Sequence, residues 1–256
     1  MRTIILSDIH GYPHLINNVL EHSEYDKDKD RLIFIGDWSD RGPESAACFK
    51  ILKDNDAIIL FGNHEAAHIF QMGIQPYDDT LDENVEITLE LFDGLLNNNM
   101  FSAYEVDGFL LTHAGLSRYY LEEVLYKKYD MMVTAKDIAN AINREQQGIL
   151  EVIDDNIVIK KKPEIFLNYL GPYWFRPFEL DPNTSGLASV KQVFGHSYAT
   201  YYTKTQKKQL VDNNHYNIDP CCSMFRTQTD HGVYVVIEDG NIKYIDIKNN
   251  IKFIEE

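Results

Sequence analysis

Cysteine is scarce in this 256-residue chain: Cys48, Cys221 and Cys222 make three, two of them adjacent, which is no basis for a disulfide framework. Free thiols in a reducing compartment are the expectation, with the cytoplasm as the default location. No apolar run approaches the roughly twenty residues needed to span a bilayer. The opening MRTIILSDIHG passes from a short apolar run straight into polar residues, so it is expected to be a first strand, without a signal peptide. Basic residues are also few, 24 against 40 acidic, for a net charge of −16. So acidic a surface repels nucleic-acid backbones, which are held mainly by Lys and Arg. It also repels anionic substrates unless local cations reverse the field, as bound divalent metals do. Repeats, low-complexity tracts and Gly/Ser/Pro-rich linkers are missing as well. One domain over residues 1–256 is therefore expected.

What is present in the first half is an alternation of strands and helices. Arg2–Ser7, Arg31–Ile35 and Asp56–Leu60 are short apolar runs fit for buried strands. Pro13 suits the first turn of a helix with Leu15, Val19 and Leu20 inward, and Pro43 starts another with Ala47, Ile51 and Leu52 on one face. His64–Met72 continues the pattern as a helix. This succession implies parallel pairing and an α/β fold. Residues 74–100 form a helical insertion with Val85, Leu89 and Phe92 at helical spacing, and a second spans about 116–175. Residues 116–165 have mostly helical patterns, Leu121–Tyr129 and Thr134–Asn143, the latter with Thr134 as its cap. Phe101–Val106 and Phe109–Thr112 flank Asp107-Gly108, a strong hairpin signal. The end of the chain is strand-rich: Gln192–Phe194, Tyr216–Ile218, and Val233–Ile237 with Ile242–Ile247 around Asp239-Gly240.

Five segments each place acid, imidazole or amide side chains just after such an apolar run. They are Asp8-Ile9-His10-Gly11, Gly36-Asp37-Trp38-Ser39-Asp40-Arg41-Gly42, Gly62-Asn63-His64-Glu65, His113-Ala114-Gly115 and Gly195-His196. Ligands of open α/β sheets bind outside the carboxyl ends of the strands, so five loops there can converge. Each segment alone is weak evidence. Two acids and an Arg crowded into one seven-residue loop are costly without an ion to bind, and the ordered set of five points to a metal site.

The set resembles the calcineurin-like metallophosphoesterase superfamily, and within it the phosphoprotein phosphatase (serine/threonine phosphatase-like) branch. That branch carries Asp-x-His, Gly-Asp-x-x-Asp-Arg-Gly, Gly-Asn-His-Glu, His-(Gly/Ala)-Gly and a later Gly-His in this order. Asp37 follows Asp8 by 29 residues and Asn63 follows Asp37 by 26, intervals similar to the bacterial or phage type. The resemblance implies a four-layer α/β/β/α sandwich of two mixed sheets flanked by helices. It implies two divalent ions, Asp8 and His10 on the first, Asp37 bridging, and Asn63, His113 and His196 completing the second. Imidazole, carboxylate and amide donors suit Mn first, with Fe or Zn as alternatives. By the same resemblance His64 is the general acid, oriented by Asp40, and hydroxide on the metals attacks phosphorus in line. Arg41 grips phosphate, as does Arg176 of Tyr173-Trp174-Phe175-Arg176 through its likeness to a Trp-x-Arg segment of bacterial members. Trp38-Ser39 is an unusual pair inside its motif. Asp219-Pro220-Cys221-Cys222 stands where many relatives have Asp-Thr-Gly.

The expected activity is hydrolysis of a phosphomonoester, on phosphoserine or phosphothreonine in a protein or on a small phosphorylated molecule. The alternative is hydrolysis of a dinucleoside polyphosphate such as diadenosine tetraphosphate, and a remote one is a non-catalytic scaffold. Against the polyphosphate stand Asp78, Asp79, Asp82, Glu83, Glu86 and Glu90 in the first insertion, which repel it if they face the cleft. For it stand Tyr173, Trp174 and Phe175, aromatic rings able to stack on adenine. No nucleic-acid or membrane partner is expected, and the sequence is silent on oligomeric state.

Overall fold

The computed structural model describes residues 1–73, 78–129, 134–154, 156–177, 186–197, 214–220, 232–247 and 251–254, with the backbone alone for 82–83 and 251–254. Cys221 and Cys222 lie outside these residues. The chain opens with β1 (Thr3–Leu6), α1 (Pro13–His22), β2 (Arg31–Phe34), α2 (Ser45–Asp54), β3 (Ile58–Ile59) and α3 (Asn63–Phe70). Helices α4 (Asp79–Glu83) and α5 (Val85–Leu96) lead into the hairpin of β4 (Ala103–Val106) and β5 (Phe109–Thr112). A π-helical stretch, Tyr120–Leu125, runs into α6 (Tyr126–Lys128), and α7 (Ala135–Gln146), β6 (Leu150–Ile153), β7 (Asn156–Ile159) and α8 (Glu164–Leu167) follow. The last strands are β8 (Gln192–Phe194), β9 (His215–Asn217), β10 (Val233–Glu238), β11 (Asn241–Asp246) and β12 (Ile251–Ile254).

Two mixed sheets result. The larger runs β12-β11-β10-β1-β2-β3, with β1, β2 and β3 parallel and the other three antiparallel. The smaller runs β4-β5-β8-β9, with β5, β8 and β9 parallel. Their inner faces meet through Ile5, Ile33, Ile35, Leu111, Val193 and Val235. Alternate residues of the same strands, Ile4, Leu6, Leu32 and Phe34, pack outward with Leu15, Ile16 and Val19 of α1 and Leu52 of α2. Because both faces of β1 are covered, all its positions are buried and it is apolar without alternation. This is the four-layer arrangement the resemblance implies. Among the described residues no helix is long and apolar enough to cross a membrane.

Three details differ from the sequence pattern. Val85 and Leu89 are 69% and 57% exposed, and α5 turns Ile87, Leu91 and Leu95 inward instead. The apolar arc of that helix is wide, with Glu86, Glu90 and Asp93 gathered on the other side, so the spacing of Val85, Leu89 and Phe92 alone does not choose its inner face. Residues 116–175 are not helical throughout, because β6 and β7 form an antiparallel two-stranded sheet around the Asp154 turn. Its signal was present in the β-branched runs Val152-Ile153 and Ile157-Val158-Ile159 on either side of Asp154-Asp155-Asn156. Finally, α2 starts at Ser45 and not at Pro43, since the preceding loop is tied elsewhere: Glu44 N–H donates to Gly11 O and Asp40 N–H to Ser45 Oγ. Thr134 caps α7 as expected, its hydroxyl accepting Asp137 N–H at 3.2 Å while Asp137 accepts Thr134 N–H at 3.0 Å.

Candidate metal centre

All five motif loops leave the carboxyl ends of parallel strands, three in the larger sheet and two in the smaller. Backbone bonds lace them together. Asp8 N–H donates to Gly36 O, His10 N–H to Asp37 O, Gly11 N–H to Trp38 O, and Gly195 N–H to His113 O, all between 2.7 and 3.0 Å. Two glycines permit the close approach. A Cβ on Gly62 would lie 2.1 Å from Asp37 Oδ1, and one on Gly195 would lie 1.9 Å from Asp8 Oδ2. Asp8, His10, Asp37, Asp40, Arg41 and His196 all adopt left-handed backbone, with φ from 48° to 66°. At about 1–3 kcal/mol each, such strain persists only where the surroundings over-determine it, and it clusters at functional sites.

Six side chains expected to hold metal are brought together. Ligand atoms of Asp37, His113 and His196 lie within 4.8 Å of one another, as do those of His10, Asp37 and His64. Asp37 Oδ2 is common to the site, with His113 Nε2 at 3.4 Å, His10 Nε2 at 3.5 Å and His64 Nε2 at 3.9 Å. Asn63 Oδ1 sits 2.9 Å from His113 Nε2. Asp8 is in neither triplet: both its oxygens accept His196 N–H at 3.1 Å, and Ser7 Oγ donates to Oδ2.

These residues fit a cation. His10 Nδ1 is 2.8 Å from Ser39 O, which places its proton there and turns the Nε2 lone pair inward, where it meets Asp37 Oδ2. Both of those facing atoms are buried without a hydrogen-bond partner, the arrangement a cation would satisfy. Burial, then the nearby Asp219, holds the Asp8 carboxyl well above its usual range. Burial and Arg41 push His10 well down, and burial and His113 do the same to His196. Burial works against an ionised Asp37, but His113 and His64 outweigh it and hold its pKa well below normal. For His113 burial is again outweighed, this time by Asp37 and Asp8, and its pKa is pushed up to about 9. Its Nδ1 lies 3.0 Å from Ile35 O and its Nε2 2.9 Å from Asn63 Oδ1, so the ring is held with Nε2 toward the shared centre.

His64 stands beside this cluster. Its Nδ1 is 2.6 Å from Asp40 Oδ2, and its Nε2 is 3.2 Å from Arg41 Nη2. Both His64 and Asp40 are buried. Arg176 Nε donates to His196 Nε2 at 3.3 Å, and the edge of Trp174 lies against the same imidazole with ring centroids 5.9 Å apart. Tyr173 and Phe175 are fully buried and belong to the core, so of the three expected aromatics only half-buried Trp174 reaches the rim. Tyr169, 72% exposed, lies 6.2 Å from Trp174, and sequence pattern did not single it out.

Two more residues escaped notice. Glu65, the last residue of Gly-Asn-His-Glu, is fully buried and accepts the N–H groups of Gly62, Asp37, Trp38 and Ser39 together with Ser39 Oγ, all at 2.8–3.1 Å. It both caps α3 and clamps the Asp37 loop. His68 donates from Nε2 to Asp40 Oδ1 at 2.9 Å. A signal existed: His64-Glu65-Ala66-Ala67-His68 matches the H-E-x-x-H spacing that presents two imidazoles on one helix face to zinc. Here that spacing is spent on a carboxylate.

The symmetrical bis(5'-nucleosyl)-tetraphosphatase of Coxiella burnetii (strain RSA 331 / Henzerling II) is 32% identical over 121 residues, 44% of this chain and 42% of that protein. The enzyme of the same name from Actinobacillus pleuropneumoniae serotype 5b (strain L20) is 32% identical over 125 residues, 46% of each. The similarity thus spans less than half the length of these curated relatives. In fold, a cold-active protein-tyrosine phosphatase of a psychrophilic Shewanella species is similar, with a TM-score of 0.58 at 14% identity, over all of this chain and 80% of that one. The Calcineurin-like phosphoesterase family matches residues 1–199, a span holding every loop of the centre, and the chain belongs to that family of phosphoester hydrolases.

Proposed function

We propose that the chain hydrolyses a dinucleoside polyphosphate at a centre holding two divalent ions. Asp8, His10, Asp37, Asn63, His113 and His196 are the ligands. Bound there, the ions supply Lewis-acid polarisation of phosphoryl oxygens and a source of hydroxide near neutral pH. Arg41 and Arg176 hold non-bridging oxygens through their planar forks. His64, oriented by Asp40 through Nδ1–H, donates Nε2–H to the leaving oxygen when its ring is doubly protonated and so neutralises the charge that develops there. The intact Asp40–His64 pair argues against a scaffold.

The observation that carries the substrate is the pairing of Arg176 and Trp174 on His196: a cation for a phosphate beside a ring for a base. The two tetraphosphatase relatives support it. The main objection from sequence also weakens. Asp78 caps α4 through Thr80 N–H at 3.2 Å, and Glu90 is paired with Lys53 at 2.9 Å. Asp79 and Glu86 are exposed, where charges interact weakly across water. Under equal Mn, catalytic efficiency is expected to be roughly tenfold or more higher on diadenosine tetraphosphate than on a phosphothreonine peptide, about 1.4 kcal/mol of differential binding. A preference for the peptide would return the assignment to phosphomonoesters and leave the metal centre intact.

Metal loading should also release protons. His113 is protonated below about pH 9 in the metal-free protein, and a ligand must be deprotonated. Affinity should therefore weaken as pH falls below that value, by about tenfold per unit per proton displaced. Calorimetry in buffers of different protonation enthalpy should count more protons released at roughly pH 7 than at roughly pH 10. Equal release at both would mean that His113 does not ligate.

A further inference from the structure

Histidines 64 and 68 lie one turn apart on the same face of α3, so their rings reach the same partner. That partner is Asp40, wholly buried between them. Oδ2 takes His64 Nδ1–H at 2.6 Å, while Oδ1 takes His68 Nε2–H at 2.9 Å and Asp78 N–H at 2.8 Å. Burial would by itself push the Asp40 carboxyl up, but bonds to both histidines hold it well below the usual range. A carboxylate held at one oxygen only can swing, and its free oxygen competes for the imidazole. With Oδ1 occupied twice, Oδ2 is reserved for His64. The 78–96 insertion joins in, since the N–H at the start of α4 is one of the two donors on Oδ1.

We propose that His68 is a positioning residue for proton donation: through Asp40 it fixes the orientation of the His64 ring at the leaving oxygen. Neither the metal triplets nor the phosphate grip uses it. The inference rests on His64 as the proton donor, and the test below tells failure of that assignment from failure of the role of His68.

The protein loaded with Mn is assayed on phenyl phosphate and para-nitrophenyl phosphate, which differ mainly in how much the departing oxygen needs a proton. His68→Leu should lower kcat about tenfold on phenyl phosphate, a fraction of the 10²–10⁴ carried by a positioned acid, and less than about threefold on the nitro ester. KM and metal stoichiometry should stay at wild-type values. His68→Gln should recover most of the loss, because an amide N–H can donate to Oδ1. In a His64→Asn background, His68→Leu should add nothing. Equal losses on both esters, failure of Gln to recover activity, or additive losses in the double variant would each overturn the role of His68. If His64→Asn itself loses equally on both esters, the acid assignment falls first and takes this inference with it. A selective loss in His64→Asn without one in His68→Leu removes His68 alone.

Discussion

Asn in place of Asp37 is expected to leave fewer than two ions bound and to cut turnover by roughly a thousandfold, the equivalent of the several kcal/mol that metal polarisation supplies. Three imidazole nitrogens surround Asp37 Oδ2 at 3.4, 3.5 and 3.9 Å, one of them from the smaller sheet. Among the described residues, Asp37 is the carboxylate shared by both groups of possible metal-holding side chains. At the proposed two-ion centre, removing its charge would leave neutral imidazoles and amides with Asp8 as the one remaining carboxylate. Folding should survive, because Asp37 N–H still reaches Glu65 and the Asn amide matches the carboxylate in size. Elemental analysis of the metal-saturated variant decides the matter. Two retained ions would show that Asp37 does not bridge, whatever the activity.

Loss of the proton donor should be graded by the leaving group. His64→Asn is expected to slow phenyl phosphate hydrolysis by roughly 10²–10⁴-fold. The deficit should shrink for para-nitrophenyl phosphate, whose leaving oxygen is weakly basic. It should shrink too for a phosphoanhydride, where His64 and Arg41, 3.2 Å apart, serve developing negative charge more than proton transfer. Metal content should not change, since His64 Nδ1 is spent on Asp40 and Nε2 is the farthest of the three nitrogens from Asp37 Oδ2. Uniform loss across the substrates, or loss of an ion, would make His64 a ligand or a structural residue instead.

Local chemistry explains why so much of this centre was legible in the chain itself. A strand buried on both faces must be apolar, so the loops after β1, β2, β3, β5 and β8 are marked by where the apolar runs stop. Grouped acids and histidines there have few purposes other than an ion. Glycine at 62 and 195 is demanded by carboxylate oxygens that a Cβ there would overlap, at 2.1 and 1.9 Å. Turn chemistry was equally local: Asp107-Gly108 closes a hairpin and Thr134 caps α7.

Tertiary structure decided everything that depends on partners distant in sequence. His196 N–H meets Asp8 across 188 positions, and no periodicity encodes that contact. The same holds for Glu65 clamping the Asp37 loop and His68 sharing Asp40 with His64, although both sit beside motif residues in the chain. Where an element's apolar arc is wider than the face it can bury, what packs on it chooses the inner residues. Hence α5 buries Ile87 and Leu91 rather than Val85 and Leu89. Three consecutive aromatics read alike in sequence, yet Tyr173 and Phe175 fill the core while Trp174 reaches the rim beside His196. Residue types and their order announced the chemistry, because metal and phosphate admit few ligands. Which atom faces which was settled only when two sheets closed on each other, because desolvation and close packing act on the assembled core and not on the chain.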